Sequence, residues 1–245
     1  MSTIAKWDTL WQKEENKRAD VGPSFRHKMR LVLHLVRKHQ LSGDILDVAC
    51  GTGVLLTKLR PFATSLTGCD ISEQALRIAG GIFPQAKYFR LDIEKDALPN
   101  QFDSIFCTNA LEEIENDQAA LNHMVSMLKP GGHLLIVTPH RKDYWTEKDV
   151  VAQNQRRYER QELKDKIQNS GLNVTEMMTW GWPIYRIWYQ AMNRVNQQQV
   201  WHEKKLSIMA MVAARIAYFV LFIDDLFRND PKASILVALA QKPQS

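Results

Sequence analysis

Short apolar runs alternate with longer stretches of helical periodicity through the middle of the chain. The runs are DILDVAC (44–50), SLTGCD (65–70), AKYFRLD (86–92), FDSIFCT (102–108) and HLLIVTP (133–139). Each has the length of a buried strand. Between them lie VLLTKLR, EQALRIAGG and DQAALNHMVSMLK, each long enough for a crossover helix. This alternation predicts βαβ units and a parallel sheet covered on both faces, an α/β doubly wound architecture. Pro130-Gly131-Gly132 reads as the turn feeding the fifth strand. The segment 160–172 predicts a helix closed by Gly171, with a sixth strand at 173–180 and a seventh at 235–243.

The flanks are helical. Ile4, Trp7, Leu10 and Trp11 share one face, and after Pro23 so do Met29, Leu33 and Val36, with Val32 beside them. Residues 1–40 are therefore expected to form an N-terminal helical cap. Residues 41–182 and 233–245 form the sheet domain, and 183–232 an inserted helical segment. Within the insertion, 206–223 is an apolar run broken only by Ser207 and Arg215. Its length approaches the ~20 residues of a membrane span. Arg215 in its middle and the strand that must return to the sheet favour a buried or interface helix instead. The expectation is a lid over an acceptor, with a homodimer contact or peripheral membrane contact as the other placements.

Composition narrows the class. The 245 residues are 45% hydrophobic and 24% charged, which excludes a disordered, collagenous or multi-span membrane chain. The formal charge of +5 sits in the flanks: residues 1–40 carry +5 and 181–245 carry +4, whereas 41–180 carry −4. A dense Lys/Arg stripe with interleaved aromatics is missing, so no nucleic-acid partner is expected. The milder basic bias suits an anionic small molecule or a membrane surface. Cys50, Cys69 and Cys107 form no C-x-x-C pair, and the first twenty residues hold no apolar signal core. Both point to a reducing, cytoplasmic setting. No His/Cys/Asp cluster has metal-ligand spacing, and no metal is expected.

Ligands of such sheets sit at the carboxyl ends of the parallel strands. There the first strand runs into Asp47-Val48-Ala49-Cys50-Gly51-Thr52-Gly53 and then a helix. Glycines allow close backbone approach, and the helix start offers free N–H groups. The second strand ends in Asp70-Ile71, where a carboxylate can accept from ribose hydroxyls, and the third in Asp92-Ile93, where one can meet an adenine amino group. Small residues plus two acids describe an adenosyl pocket without a phosphate clamp. A nicotinamide site would show G-x-G-x-x-G, but the third residue after Gly53 is Leu56.

These residues resemble class I S-adenosylmethionine-dependent methyltransferases of the small-molecule type. The likeness is carried by ILDVACGTG, Asp70, LDIE, FDSIFCTNALEEIEND and MLKPGGHLLIVTP across 44–139. It implies a Rossmann-like, mostly parallel seven-stranded sheet with an antiparallel last strand, and S-adenosylmethionine as cofactor. By the resemblance, Asp47, Ala49, Gly51 and Gly53 surround the methionine end. Asp70 holds the ribose, Asp92 and Ile93 the adenine, and Asn109 with Leu111 the region below the sulfonium, with Ile71 a further cofactor-binding residue. Two departures stand out. Ala49 occupies the place of the family's first glycine, and Glu113 replaces the His of L-E-H-I, so no base role transfers to that position.

Candidates for the acceptor side are few. His140 follows the fifth strand and is a candidate base. Tyr144 and Trp145 lie just beyond it, and Trp182 and Tyr185 belong to an aromatic cluster at 180–189. The expected reaction is methylation of a hydroxyl or carboxyl oxygen of a small, partly aromatic or apolar acceptor. N- or C-methylation of a small or lipid-like, quinone-type acceptor at a membrane surface is the second reading. A non-catalytic, cofactor-binding partner subunit is the third.

Overall fold

A computed structural model of the chain describes residues 7, 8, 11, 22–194 and 208–244. The first long helix, α1 (Pro23–Lys38), starts on a proline whose fixed φ suits the first helical position, and ends on Arg37 and Lys38. It buries Leu31, Val32, Leu35 and Val36 on the sheet. Then follow β1 (Gly43–Val48), α2 (Val54–Leu59), β2 (Ala63–Asp70), α3 (Glu73–Ile82), β3 (Lys87–Arg90), β4 (Phe102–Thr108), α4 (Asp117–Ser126) and β5 (Leu128–Pro139). The remainder is α5 (Glu147–Ala152), α6 (Arg160–Asn169), β6 (Asn173–Trp180), α7 (Ile184–Arg194), α8 (Ile208–Val220) and β7 (Ile235–Gln241).

The seven strands form one sheet in the order β3-β2-β1-β4-β5-β7-β6. β1 to β5 are parallel neighbours, and β7 lies antiparallel between β5 and β6. The order reverses between β1 and β4, which opens a crevice at their carboxyl ends. One face packs Ile45, Phe106, Val137 and Trp180 under α1, and the other packs Leu46, Ile105 and Ile136 against Leu121 and Leu163. This is the Rossmann-like sheet, with its last strand antiparallel, that the sequence implied.

Two local expectations are corrected. Pro130-Gly131-Gly132 is not a separate turn: β5 already starts at Leu128 and runs through it, with a bulge opposite Phe102/Ser104. Gly131 takes φ +76° there, and its N–H reaches the Lys242 carbonyl at 3.1 Å, so the extra residue is absorbed within the ladder. The 206–223 run is not a single helix either. α8 ends at Val220 and the chain tightens into a 3-10 turn at Leu221–Phe227, while 206–207 lie outside the described residues. The cause is Asp224, buried, whose two carboxylate oxygens accept the Ile184 and Tyr185 N–H groups at 2.8 Å each. That pins the turn to the start of α7.

α8 docks on α1. His27 Nε2 donates to the Tyr218 carbonyl at 2.8 Å, and the His27 ring stacks on Trp180 at 4.9 Å. Arg30 forms a paired contact with Asp225 at 2.6 and 2.7 Å. The opposite side of α8 is bare: Val212, Ile216 and Phe219 are exposed, as are Ile223 and Leu226 beyond it. Among the described residues no helix is long and apolar enough to cross a membrane.

Candidate active site

The loop after β1 is wound by three left-handed residues, Ala49 (φ 55°), Gly51 (φ 52°) and Gly53 (φ 72°). Gly53 caps α2 with no side chain over the free N–H groups. A Cβ at Gly53 would stand 3.1 Å from the Tyr88 hydroxyl, and one at Gly51 would stand 3.0 Å from the Trp11 ring. The loop is thus a tight glycine cradle, packed against Tyr88 and Trp11 with no room for side chains. Asp70 closes it from β2: its carboxylate accepts the Gly51 N–H at 2.9 Å and the Ser72 N–H at 2.9 Å. Burial raises the carboxyls of both Asp70 and Asp47, the latter also through repulsion by Asp70. Such buried acids invite hydrogen-bond donors from a ligand. Trp11 over Gly51, with Asp8 accepting from the Ser72 hydroxyl at 2.5 Å, places the first helical residues across this loop.

The adenine-side residues are less focused. Asp92, after β3, accepts from Lys95 Nζ at 2.7 Å, and the Ile93 carbonyl accepts from His123 Nδ1 at 2.8 Å. Ile71 is half-buried at the end of β2. Leu111 is fully buried, its carbonyl accepting from the Tyr158 hydroxyl at 3.3 Å. Asn109 takes a left-handed φ of 53° immediately after β4, and its side-chain oxygen accepts from Lys28 Nζ at 2.5 Å. The donor set and the cradle fit an adenosyl sulfonium cofactor.

A cavity of about 430 Å³ lies at the end of β4, the strand next to β1, and none of the residues lining it belongs to the loop after β1. It runs along the carboxyl edge of the sheet. Asn109, Glu112 and Glu113 follow β4, Thr138 and Pro139 end β5, Ser234 precedes β7 and Ile235 begins it. Lys28 and Trp7 close it from the N-terminal side, and Tyr185 and Tyr189 of α7 form an aromatic wall. Glu112 is buried and accepts from the Thr138 hydroxyl at 3.1 Å; burial pushes its carboxyl up to about 7. Glu113 is raised further by burial and by the neighbouring Glu112, whereas burial depresses Lys28. Arg157 also lines the cavity but is spent on Asp149, which it grips through Nε at 2.8 Å and Nη2 at 2.9 Å.

Of the acceptor-side candidates, only Tyr185 lines the cavity, its hydroxyl 3.0 Å from Ser24 Oγ. His140 does not: its ring is buried, Nδ1 donates to the Ala233 carbonyl at 2.9 Å, and Nε2 faces Glu159 at 3.8 Å. Tyr144 donates to the Lys232 carbonyl at 3.0 Å, Trp145 is exposed, and Lys232 sits 5.3 Å over the Trp182 ring. These three side chains also lie outside the cavity wall. The expected lid divides in the same way, because α7 contributes Tyr185 and Tyr189 while no described residue of α8 reaches the cavity. Lys28, Lys148 and Ser234 line the cavity with no signal in the sequence to mark them. Only the aromatic cluster at 180–189 signalled Tyr189.

A glycine cradle, an acid at the end of β2 and a seven-stranded sheet with β7 reversed define the class I S-adenosylmethionine-dependent methyltransferases. The chain matches the family model of the methyltransferase domain over residues 23–177 and belongs to that family. It is 25% identical over 145 residues to a ubiquinone biosynthesis O-methyltransferase of Pseudomonas putida strain GB-1, a stretch covering 56% of this chain. The match spans 62% of that relative's length. The fold is shared with the N-methyltransferase NodS of Bradyrhizobium japonicum, solved with S-adenosyl-l-homocysteine: TM-score 0.62 and 17% identity, over 96% of this chain and 98% of that one. It is likewise shared with an S-adenosylmethionine-dependent methyltransferase of Mesorhizobium loti, at TM-score 0.57 and 19% identity, over 83% of this chain and 93% of that one.

Proposed function

We propose that the chain transfers a methyl group from S-adenosylmethionine to an oxygen, in the first instance a hydroxyl, of a small and partly aromatic acceptor held in the cavity. The observation that carries this is the cavity's position: it opens at the carboxyl ends of β4 and β5, with β4 the neighbour of β1 and its glycine cradle, and is lined by Tyr185 and Tyr189. When bound, the cofactor supplies an electrophilic methyl on a sulfonium whose departure as a thioether needs no acid. The protein's work is alignment and exclusion of water. Asp70, Ala49, Gly51 and Gly53 hold and shape the cofactor loop, and Asp47 and Asn109 flank it. Tyr185 and Tyr189 orient a ring. A hydroxyl acceptor must also lose its proton, and Glu113 is the lining carboxylate without a hydrogen-bonded side-chain partner among the described residues. Its raised affinity for protons makes its ionised form a better base than an ordinary glutamate. The O-methyltransferase relative supports the choice of oxygen over nitrogen or carbon. The bare strip of α8 supports contact with a second copy of the chain or with a lipid surface.

Calorimetry tests the first half: S-adenosylmethionine and its demethylated product should bind. Asp70→Ala should weaken them by about 1.5–3 kcal/mol, the value of a hydrogen bond to a charged group. Binding of NAD without binding of S-adenosylmethionine overturns the reading. Labelled S-adenosylmethionine incubated with a metabolite extract tests the second half, through mass spectrometry of the product that gains the methyl. A product methylated on nitrogen or carbon overturns the choice of oxygen. Tight cofactor binding with no methylated product assigns the chain to the non-catalytic class.

A further inference from the structure

The cavity wall carries two polar groups that the transfer itself does not use. Lys148, at the start of α5, points its ammonium over the face of Tyr189 at 4.5 Å and has no carboxylate partner among the described residues. Ser234, immediately before β7, is only 6% exposed, and its hydroxyl has no hydrogen-bond partner among the described residues. A buried hydroxyl left unpaired is costly, and native structures seldom keep one without a ligand or water to satisfy it. Ser234 lies away from the cofactor loop. Pro139 pairs with Ile235, so Ser234 sits beyond the end of β5, with β4 and β5 between it and the loop after β1. At ~4.8 Å per strand, that is roughly 14 Å along the sheet edge. The other lining charges are already answered: Arg157 is neutralised by Asp149, and Lys28 is bonded to Asn109 and set beside Glu112 and Glu113. Lys148 is left as the unanswered cation of the wall.

Resting on the methyltransferase reading, we propose that the acceptor is an aromatic acid whose carboxylate is held by Lys148 and the Ser234 hydroxyl at the β7 end of the cavity. Its ring then lies along Tyr185 and Tyr189, and its far end reaches Asn109 and Glu113. An ammonium stacked on an aromatic ring is pre-placed for an anion, and a hydroxyl donor in the same cavity wall selects an oxygen acceptor. Burial depresses the Lys148 ammonium to about 8, so a bound carboxylate would restore its ordinary affinity for protons.

The test uses the full chain loaded with S-adenosylhomocysteine. The probes are 4-hydroxybenzoate, 3,4-dihydroxybenzoate and 4-hydroxyphenylacetate, each beside its primary amide, with binding read by calorimetry. The acids should bind about 10- to 100-fold tighter than the amides. Lys148→Met should erase that preference, Lys148→Arg should keep it, and Ser234→Ala should reduce it. None of the three should change affinity for S-adenosylhomocysteine, which also shows that the variants fold. Acid binding in the wild type should weaken as pH rises past about 8. Equal binding of acids and amides, no binding by any probe, or a preference that survives Lys148→Met overturns the proposal. Failure of S-adenosylhomocysteine itself to bind overturns the underlying methyltransferase reading instead.

Discussion

Ala49 holds a left-handed φ of 55° in the cofactor loop. That conformation costs a residue with a Cβ about 1–2 kcal/mol, whereas glycine adopts it freely. Glycine in turn gives up about 0.5–1 kcal/mol of chain entropy on folding. Ala49→Gly is therefore expected to raise stability by up to about 1 kcal/mol, read as a higher denaturant midpoint, with S-adenosylhomocysteine affinity kept. A lowered midpoint would mean that the Ala49 methyl packs more than it strains. This residue was legible in the sequence, as were Asp47, Gly51, Gly53 and Asp70, because a tight loop closed by an acid demands particular residue types at particular spacing. Lys148 and Ser234 were not. An ordinary helix-start lysine and a serine before a strand acquire meaning only when β5, α5 and β7 converge on one cavity. For His140, being next to a strand end in sequence gave its place at the edge but not the direction of its ring, which turns inward to the Ala233 carbonyl.

Between elements, the junction of α1 with α8 rests on a neutral histidine. His27 receives a hydrogen bond on Nδ1 from Arg30 and donates from Nε2 to Tyr218, so neither ring nitrogen has room for an extra proton. Burial lowers its proton affinity from the ordinary 6.5 to about 4. The unfolded chain then binds the proton more readily than the folded one. The stability this group contributes is full above pH 6.5 and is lost as pH falls from 6.5 towards 4. A melting series across that window should show the decline, and His27→Phe, which keeps the stacking on Trp180, should flatten it. An unchanged slope would place the titrating group elsewhere. Strands read well from the sequence because each is a short apolar run bounded by turn residues. The end of α8 did not, because it is set by Asp224 reaching across to the first N–H groups of α7, a partner that no local pattern announces.

For the whole molecule, the bare strip of α8 and the turn after it is the main departure from an ordinary soluble surface. Phe219 is 66% exposed and Leu226 is 84% exposed. Contiguous apolar patches of this kind mark contacts with other molecules. Light scattering should show a mass that rises with concentration, or sedimentation should show the chain moving with liposomes. Phe219→Asp should abolish whichever occurs while S-adenosylhomocysteine binding persists. Wild-type protein that stays monomeric and free of vesicles at every concentration would overturn this expectation. The strip was visible in the sequence as a run apolar on nearly every side. Which side faces α1 was not, since that choice depends on His27, Arg26 and Arg30 of another helix.

The place of β7 between β5 and β6 also bears on how the chain is made. Its two neighbours are both translated earlier, and the stretch from α7 to the 3-10 turn emerges between them and it. While the ribosome is still adding these residues, β5 and β6 have no strand joining them, and both expose unpaired edges and the apolar face that Trp180 and Val137 later share. Such edges are where nascent chains pair wrongly. The sheet can close only after Gln241 clears the exit tunnel, so the end of the cavity that borders β7 is completed after the glycine cradle, whose strands are among the first to be made.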